Sequence, residues 1–166
     1  NLGINNSNGE YICIMMADLS DDFNDLKKYY QTIKDKNLDA VFGSRFTKKS
    51  KVIDYPFKKL VLNRIFNLIV QILFLNKYND YTNAFKIYKA KAIKNILPFV
   101  SESFNIFLEI PLKIISRKYS YEIISINWYN RKLGTAKFNI KELRAKYLFT
   151  LIYCFIEKVF LNKKIK

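Results

Sequence analysis

The stretch that decides the fold runs from residue 10 to residue 22 and reads EYICIMMADLSDD. It begins as a short apolar run between Gly9 and Asp18, a pattern typical of a strand buried on both faces of a parallel sheet. Acids then follow at Asp18, Asp21 and Asp22. They either begin the next helix as capping residues or hold a metal ion.

The segments after these acids continue an α/β pattern. Residues 21–37 have the apolar spacing of an amphipathic helix, whose apolar face is formed by Phe23, Leu26, Tyr30 and Ile33. Residues 39–46 (DAVFGSRF) resemble a second short strand. A strand, a helix and a strand of this length imply a right-handed crossover between parallel strands. We therefore expect an α/β fold with a mostly parallel sheet. Ligands bind at the carboxyl ends of such strands, where ADLSDD and GSR are expected to lie.

The rest of the chain is predicted to contain further helices and strands. In order, they are a polar loop at 47–55, a helix at 57–75, a strand at 84–88, a short helix that ends before Pro98, a helix at 104–118, a strand at 121–129, a basic loop at 130–138 and a final helix at 139–161. Pro111 lies near the middle of the 104–118 helix and is expected to kink or divide it.

Two of these helices have properties expected at a membrane. The 57–75 helix is strongly apolar, but its interspersed polar residues argue against an uninterrupted membrane span and favour a helix that lies on a membrane or packs on the domain. In the final helix the apolar run at 147–156 is shorter than a span and has lysines on either side. It suits an anionic bilayer surface, or equally a position in the core.

The composition limits the possible chemistry. Half of the 166 residues are apolar, enough for one domain, and 29 Lys and Arg against 14 acids give a net charge of +15. This charge favours anionic partners, although an AT-rich coding sequence would give the same composition. The absence of histidine excludes histidine-based triads and the usual zinc sites and leaves carboxylates as ligands for a hard metal ion. Cys13 and Cys154 lie in apolar runs and are interpreted as core thiols of a reducing compartment.

Several motifs in a fixed order resemble the inverting glycosyltransferases of family 2, and among them the polyprenyl-phosphate (dolichol-phosphate mannose synthase-like) branch. The motifs are MMADLSDD, DAVFGSRF, YTNAFKIY, FNIFLEIPLKI and NRKLGTAKF. The resemblance implies a GT-A-like, Rossmann-like fold with flanking and membrane-interfacial helices, from which the first strands are missing. Residues 1–138, including an interfacial helix at 56–76, would form the C-terminal part of the GT-A domain, and residues 139–166 an amphipathic helix with a basic tail.

In this family a DxD-type motif holds Mg²⁺ or Mn²⁺ on the diphosphate of the donor. Asp18 matches the second acid of the motif, and Met16 stands where the first acid is expected. The resemblance therefore implies a metal held by Asp18, helped by Asp21 or Asp22. Ser20 is expected to support this segment.

Three further residues carry over from the family to the reaction centre. Arg45 matches an arginine that contacts phosphate near the donor and acceptor, although it could also be a surface arginine after a strand. Arg64 matches a basic residue that faces a lipid phosphate, or it extends from an apolar helix to reach water. Asp80 matches the acid of a D-x-T-x-x-F motif, which makes it the candidate base for a hydroxyl acceptor, or it is a turn residue beside Asn79.

The resemblance also extends to the second half of the chain. Glu109 matches a glutamate on a helix behind the active site, and Arg131 and Lys137 match a basic pair that grips phosphate when their loop closes. The implied function is transfer of a sugar from a GDP- or UDP-linked donor to a polyprenyl or dolichol phosphate, at the cytoplasmic face of the membrane. The competing hypotheses are a catalytically inactive membrane-associated scaffold and a basic nucleic-acid-binding module, for which the sequence contains no recognised motif.

Overall fold

The computed structural model describes residues 2–18, 20–130 and 140–163. The strands are β1 (Tyr11–Ile14), β2 (Ala40–Ser44), β3 (Val52–Ile53), β4 (Lys86–Lys89), β5 (Tyr121–Ser125) and β6 (Trp128–Tyr129). The helices are α1 (Leu2–Asn5), α2 (Phe23–Asp35), α3 (Phe57–Phe74), α4 (Ala90–Asn95), α5 (Ile106–Ser116) and α6 (Ile140–Lys163). The α/β class expected from the sequence is confirmed.

The central sheet is mixed rather than mostly parallel. Its order is β1-β4-β2-β5, and β4 runs antiparallel to both of its neighbours, while β2 and β5 are parallel. Tyr88 of β4 stands opposite Ile12 on one side and Ala40 on the other. Strand β1 lies at one edge of this sheet, because β4 is inserted between β1 and β2. Its side chains are only half-buried, so the prediction that β1 is buried on both faces is wrong. A separate two-stranded parallel sheet joins β3 and β6.

Helices cover both faces of the central sheet, and the alternation along β2 separates the two layers. Val41 packs in a cluster with Tyr29 and Ile33 of α2. Ala40 and Phe42 point the other way, into a larger cluster that includes apolar residues of α3, α4, α5 and α6. This arrangement follows from the two-residue repeat of a strand, which sends successive side chains to opposite faces. Both cysteines are free thiols, of which Cys154 is buried in the larger cluster and Cys13 is half-buried against the smaller one.

Helix α2 begins as predicted, and its predicted apolar face is buried in part, since Ile33 lies in the core and Leu26 packs against it. The carboxylate of Asp22 caps it by accepting a hydrogen bond from the amide of Asn24. Phe23 and Tyr30, expected on the apolar face, are instead exposed, and Tyr29 is fully buried with its hydroxyl donating to the carbonyl of Phe85. The backbone of β2 accommodates this hydroxyl only because residue 43 is glycine, since a Cβ there would lie 1.7 Å from the Tyr29 oxygen.

Three further details differ from the sequence-based predictions. The segment 47–55 is not wholly loop, because it contains β3, and the predicted strand at 121–129 is divided into β5 and β6. Pro111 lies within α5 but does not divide it. The buried residues Leu108 and Leu112 on either side of Pro111 pack α5 into the core, which offsets the loss of one backbone hydrogen bond. Over the described ranges, no helix has an apolar stretch long enough to cross a bilayer.

Candidate active site

Four segments meet beyond the carboxyl end of β2. The amide of Trp128 donates to the carbonyl of Lys51, and Tyr129 donates to the carbonyl of Ser20. Asp21 forms an isolated antiparallel β-bridge with Trp128. The acidic segment after β1, the loop after β2 and the segment around β6 are thereby held together, and the loop that precedes β4 joins them through Asp80.

The centre of the site is a buried ion pair between Arg45 and Asp80. Arg45 follows β2 directly, and its Nε and Nη2 donate to the two carboxylate oxygens of Asp80 at 2.8 and 2.7 Å. The backbone amide of Arg45 donates to the same carboxylate at 2.9 Å. Arg45 is 8% exposed and Asp80 is 0% exposed, so the pair is shielded from water. The two side chains therefore act as one rigid unit that joins β2 to the loop before β4.

Aromatic rings surround the guanidinium of Arg45. The rings of Phe46, Tyr55 and Trp128 have centroids 5.3, 5.8 and 5.9 Å from its central carbon. Burial alone would lower the pKa of Arg45, but the charge and hydrogen bonds of Asp80 outweigh this effect and raise it. The guanidinium of Arg45 thus stays protonated, stabilised by the Asp80 carboxylate and by the faces of aromatic rings.

Arg64 of α3 reaches the same region from the other side. Its Nη1 donates to the carbonyl of Asn79 at 3.0 Å, and its guanidinium lies 4.5 Å from the Phe46 ring that also contacts Arg45. The Asn79 side chain in turn donates to the carbonyl of Phe46. The structure therefore brings Arg45, Arg64 and Asp80 together, although they are far apart in the sequence.

The acids of the ADLSDD segment have different environments. The Oδ1 atom of Asp18 accepts hydrogen bonds from the amide and hydroxyl of Ser20 at 3.2 and 2.6 Å, which orients the Asp18 carboxylate. Asp21 turns inward and accepts from the amide of Met16 at 3.4 Å. Burial raises the pKa of Asp21 to about 6, against the opposing effects of the Met16 amide and the Arg45 charge. Asp22 is the residue that caps the helix, whereas Asp21 belongs to the site.

Lys86 is a charged residue of the site that the sequence reasoning missed. It lies in β4, fully buried, and its Nζ donates to the carbonyls of Tyr81 and Asn83 in the loop that carries Asp80. Burial lowers its pKa to about 7, partly offset by the charge of Asp80. The only signal in the sequence is that Lys86 interrupts the apolar run AFKIY. Because lysine is rarely buried, the simplest interpretation of such a residue is an exposed side chain.

Glu109 lies in a separate polar cluster. Its carboxylate accepts from the amides of Val100 and Ser101 at 3.0 and 2.8 Å and pairs with Lys113 at 2.9 Å, with both side chains buried. These contacts hold the segment that follows α4 against α5. Arg131 and Lys137, predicted to grip phosphate, lie outside the described residues.

The described carboxylates do not by themselves form a complete site for the expected Mg²⁺ or Mn²⁺. In the described part of the chain, no group of three carboxylates or other metal-ligating side chains is close enough together to enclose a metal ion. Asp21 is directed at the Met16 amide, which leaves Asp18 as the oriented carboxylate of the segment. Mg²⁺ is commonly bound by one or two carboxylates with substrate phosphates and water, and the residues fit an ion of that kind only.

Comparisons with known proteins identify a family model that matches the sequence and solved structures that share the fold. The family model described as "Glycosyl transferase family 2" matches residues 1–97. Two solved structures of glucosyl-3-phosphoglycerate synthase from Mycobacterium tuberculosis, one with uridine diphosphate and one with phosphoglyceric acid, match with TM-scores of 0.64 and 0.61. Identity is 10% and 11%, and each match covers 92% of this chain. The chain spans about half (52%) of the length of those structures. The structural similarity confirms the expected GT-A-like fold.

Proposed function

The chain belongs to glycosyl transferase family 2, and we propose that the complete protein transfers a sugar from a nucleotide-sugar donor to a polyprenyl phosphate. The donor would be GDP- or UDP-linked, and the reaction would invert the configuration at the anomeric carbon. The observation that carries this proposal is the meeting of the Asp18–Asp22 segment with the Arg45–Asp80 pair beyond the carboxyl end of β2. Ligands of α/β proteins bind at such an edge.

The donor diphosphate would bind next to Asp18. Asp18 has one carboxylate oxygen oriented by Ser20 and would hold a divalent ion together with diphosphate oxygens. Such an ion, when bound, neutralises the charge that develops on the leaving nucleoside diphosphate. Asp21 supports this segment through the Met16 amide rather than as a direct ligand.

The acceptor is assigned to the side of the two arginines. A carboxylate that already accepts three hydrogen bonds from Arg45 is poorly available to take a proton, so Asp80 is not well placed to act as a general base. A phosphate acceptor needs no base, because it is already an anionic nucleophile. We therefore favour a lipid phosphate over a hydroxyl acceptor, with Asp80 positioning Arg45 and with Arg45, Arg64, Arg131 and Lys137 as phosphate-binding residues. This acceptor would locate the reaction at the cytoplasmic face of a membrane.

A catalytically inactive, membrane-associated scaffold is the second candidate. The specific observation in its favour is Met16, which stands where the family pattern has its first metal-binding acid. The absence of a cluster of three ligating side chains within the described ranges agrees with this candidate as well.

Calorimetric binding of UDP and GDP to the full-length protein separates the two candidates. Binding of at least one nucleotide should require Mn²⁺, and Asp18→Asn should weaken it by about tenfold or more because the ligand charge is lost. The matched control is Asp22→Asn, which removes the same charge from the same segment but retains an asparagine able to cap α2. Equal weakening in both variants would contradict the role of Asp18. Absence of nucleotide binding with and without metal would favour the scaffold.

The acceptor requires a separate assay. Transfer of labelled sugar should be measured from a sugar-linked form of the nucleotide that binds, with release of the nucleoside diphosphate, to a short-chain polyprenyl phosphate. The parallel acceptor is 3-phosphoglycerate, since one of the matched structures contains phosphoglyceric acid. Product in the polyprenyl phosphate reaction supports the proposal. Product with phosphoglycerate alone would refute the lipid acceptor and leave the donor assignment intact.

A further inference from the structure

Lys86 is a fully buried amine whose hydrogen-bond partners are backbone carbonyls. Its Nζ donates to the carbonyls of Tyr81 and Asn83, in the loop that precedes β4. In the described part of the chain, no carboxylate lies at ion-pair distance from this amine. Removing an ammonium group from water is costly unless an opposite charge compensates it. A buried charge held in this way points to a role beyond the stability of the core.

The carbonyls that Lys86 contacts belong to the turn that carries Asp80. Residues 80–83 form this turn, in which the amide of Asn83 donates to the carbonyl of Asp80 at 3.2 Å. We call it the Asp80 turn. The carboxylate of Asp80 accepts three hydrogen bonds from Arg45. Lys86 is therefore connected to the guanidinium of Arg45 through one short turn, and the position of that guanidinium depends on a segment that Lys86 holds.

Helix α3 anchors the same turn with neutral side chains. Asn67 is buried and accepts a hydrogen bond from the amide of Tyr81 at 2.6 Å. The side chain of Asn63 donates to the hydroxyl of Thr82 at 2.7 Å. These contacts fix the turn against the inner, polar side of α3, but they do not change the net charge around it. Lys86 supplies a charge, which the two asparagines cannot supply.

The ion pair between Arg45 and Asp80 has no net charge to offer a phosphate. Its guanidinium and carboxylate charges are opposite and nearly coincident, so their fields largely cancel at a bound anion. Asp80 also occupies two of the guanidinium nitrogens. The charge of Lys86 acts on the Asp80 carboxylate by Coulombic attraction and balances it. Together the three groups carry a single positive charge, to which Arg64 adds another from α3.

The surroundings of Lys86 make its charge sensitive to pH. Burial is the largest effect and lowers its pKa to about 7, with a smaller contribution in the same direction from the charge of Arg45. The charges of Asp80 and Asp21 oppose this change, and the ring of Tyr78 lies 5.6 Å from the Nζ atom. Lys86 is therefore charged below about pH 7 and neutral above it. Asp21, whose pKa is raised to about 6, titrates just below this range.

We propose that Lys86 is a positioning residue for phosphate binding. Its ammonium group holds the Asp80 turn and balances the Asp80 carboxylate, so that the guanidinium of Arg45 is both oriented and electrostatically free to bind an acceptor phosphate. Lys86 itself lies beneath the turn and does not contact the ligand. The inference rests on the proposed function, in which Arg45 binds the phosphate of the acceptor. Phosphate affinity should accordingly follow the protonation of Lys86.

The test is calorimetric binding of farnesyl phosphate and, in parallel, of 3-phosphoglycerate to the full-length protein between about pH 6 and about pH 8. Lys86→Met keeps the length of the side chain and should weaken phosphate binding by about tenfold at the acidic end, because charge-assisted hydrogen bonds are lost. The ratio of the two affinities should fall severalfold as the pH rises, since the unmodified protein then loses the same charge. Lys86→Arg stays charged throughout, so it should restore most of the affinity and remove the pH dependence of the ratio.

The ratio of affinities removes the titration of the ligand, which is the same for every variant. The titration of Asp21 is removed by repeating the pH series with Asp21→Asn in all proteins. The matched control is Lys89→Met, the same change in the same strand, where the amine donates to the side chain of Asn37 instead. This control should bind phosphate like the unmodified protein at every pH, and circular dichroism should show that all variants are folded.

The outcomes separate this inference from the proposed function. Binding of farnesyl phosphate that is unchanged in Lys86→Met would overturn the role of Lys86 and leave the lipid acceptor intact. Weakening that is equal at every pH and is not rescued by Lys86→Arg would also overturn it, because a purely structural role gives that result. Binding of 3-phosphoglycerate alone, with the expected dependence on Lys86, would support this inference and refute the lipid acceptor. Absence of binding of either phosphate to the unmodified protein would overturn both.

Discussion

Removal of Asp80 should destabilise the protein far more than removal of an exposed acid. Asp80→Ala leaves the guanidinium of Arg45 buried without its carboxylate, and loss of one partner from a buried ion pair costs about 3–5 kcal/mol. A change of that size is a large fraction of the 5–15 kcal/mol that stabilises a typical domain. At about 2–4 °C per kcal/mol for a domain of this size, the melting temperature should fall by about 6–20 °C.

The assay is thermal unfolding of the full-length protein followed by circular dichroism, with Arg45→Met, Asp80→Ala and the double variant. The double variant should be less destabilised than the sum of the single variants by at least about 2 kcal/mol, because it leaves no unpaired buried charge. Glu122→Ala is the control, since it breaks the exposed pair with Lys36 and should cost no more than about 1 kcal/mol. Additivity of the two single variants within about 0.5 kcal/mol would refute the description of Arg45 and Asp80 as one unit.

Two further predictions concern the neighbours of this pair. Gly43→Ala should destabilise the protein by about 1–3 kcal/mol in chemical denaturation, because the new Cβ would meet the Tyr29 hydroxyl. Adding Tyr29→Phe to this variant removes that hydroxyl and should recover part of the lost stability. No recovery in the double variant would contradict this contact. The pKa of Asp21 is raised from its ordinary value of 3.8 to about 6, so the native protein binds the proton of Asp21 more tightly than the unfolded chain does. The native state should therefore lose stability as the pH rises from about 4 to about 6. Asp21→Asn should remove that decline in melting temperature, and an unchanged pH profile in the variant would refute the burial of an ionisable group at this position.

Local signals in the sequence were sufficient for much of the fold. The predicted helix at 21–37 contains α2 and its capping residue Asp22. It could be predicted because helix periodicity and capping depend on neighbours within a few positions. The two long apolar helices were recognised for the same reason. The face that α2 buries was predicted only in part: Leu26 and Ile33 pack in the core as expected. Tyr30 is exposed and its neighbour Tyr29 is buried instead, a choice between two identical side chains that a local pattern does not make.

Long-range pairing was beyond the reach of the sequence pattern. The insertion of β4 between β1 and β2 depends on hydrogen bonds between segments far apart in the chain, and no local period encodes its antiparallel direction. In the candidate site, the sequence drew attention to Asp18, Arg45 and Asp80 separately. The three hydrogen bonds from Arg45 to Asp80 result from the packing of two loops and could not be derived from either loop alone.

By itself, therefore, the sequence determined the α/β class, the main helices and the residue types available for phosphate and metal chemistry. Tertiary structure alone decided which of those residues are buried together, that Lys86 lies beneath the Asp80 loop, and that α3 turns its polar side inward. The physical reason is that hydrogen bonding and apolar periodicity act over a few residues, whereas desolvation depends on everything that packs around a group. The inward polar face of α3 and the outward apolar surface that results were visible only once the helix had been placed on the domain.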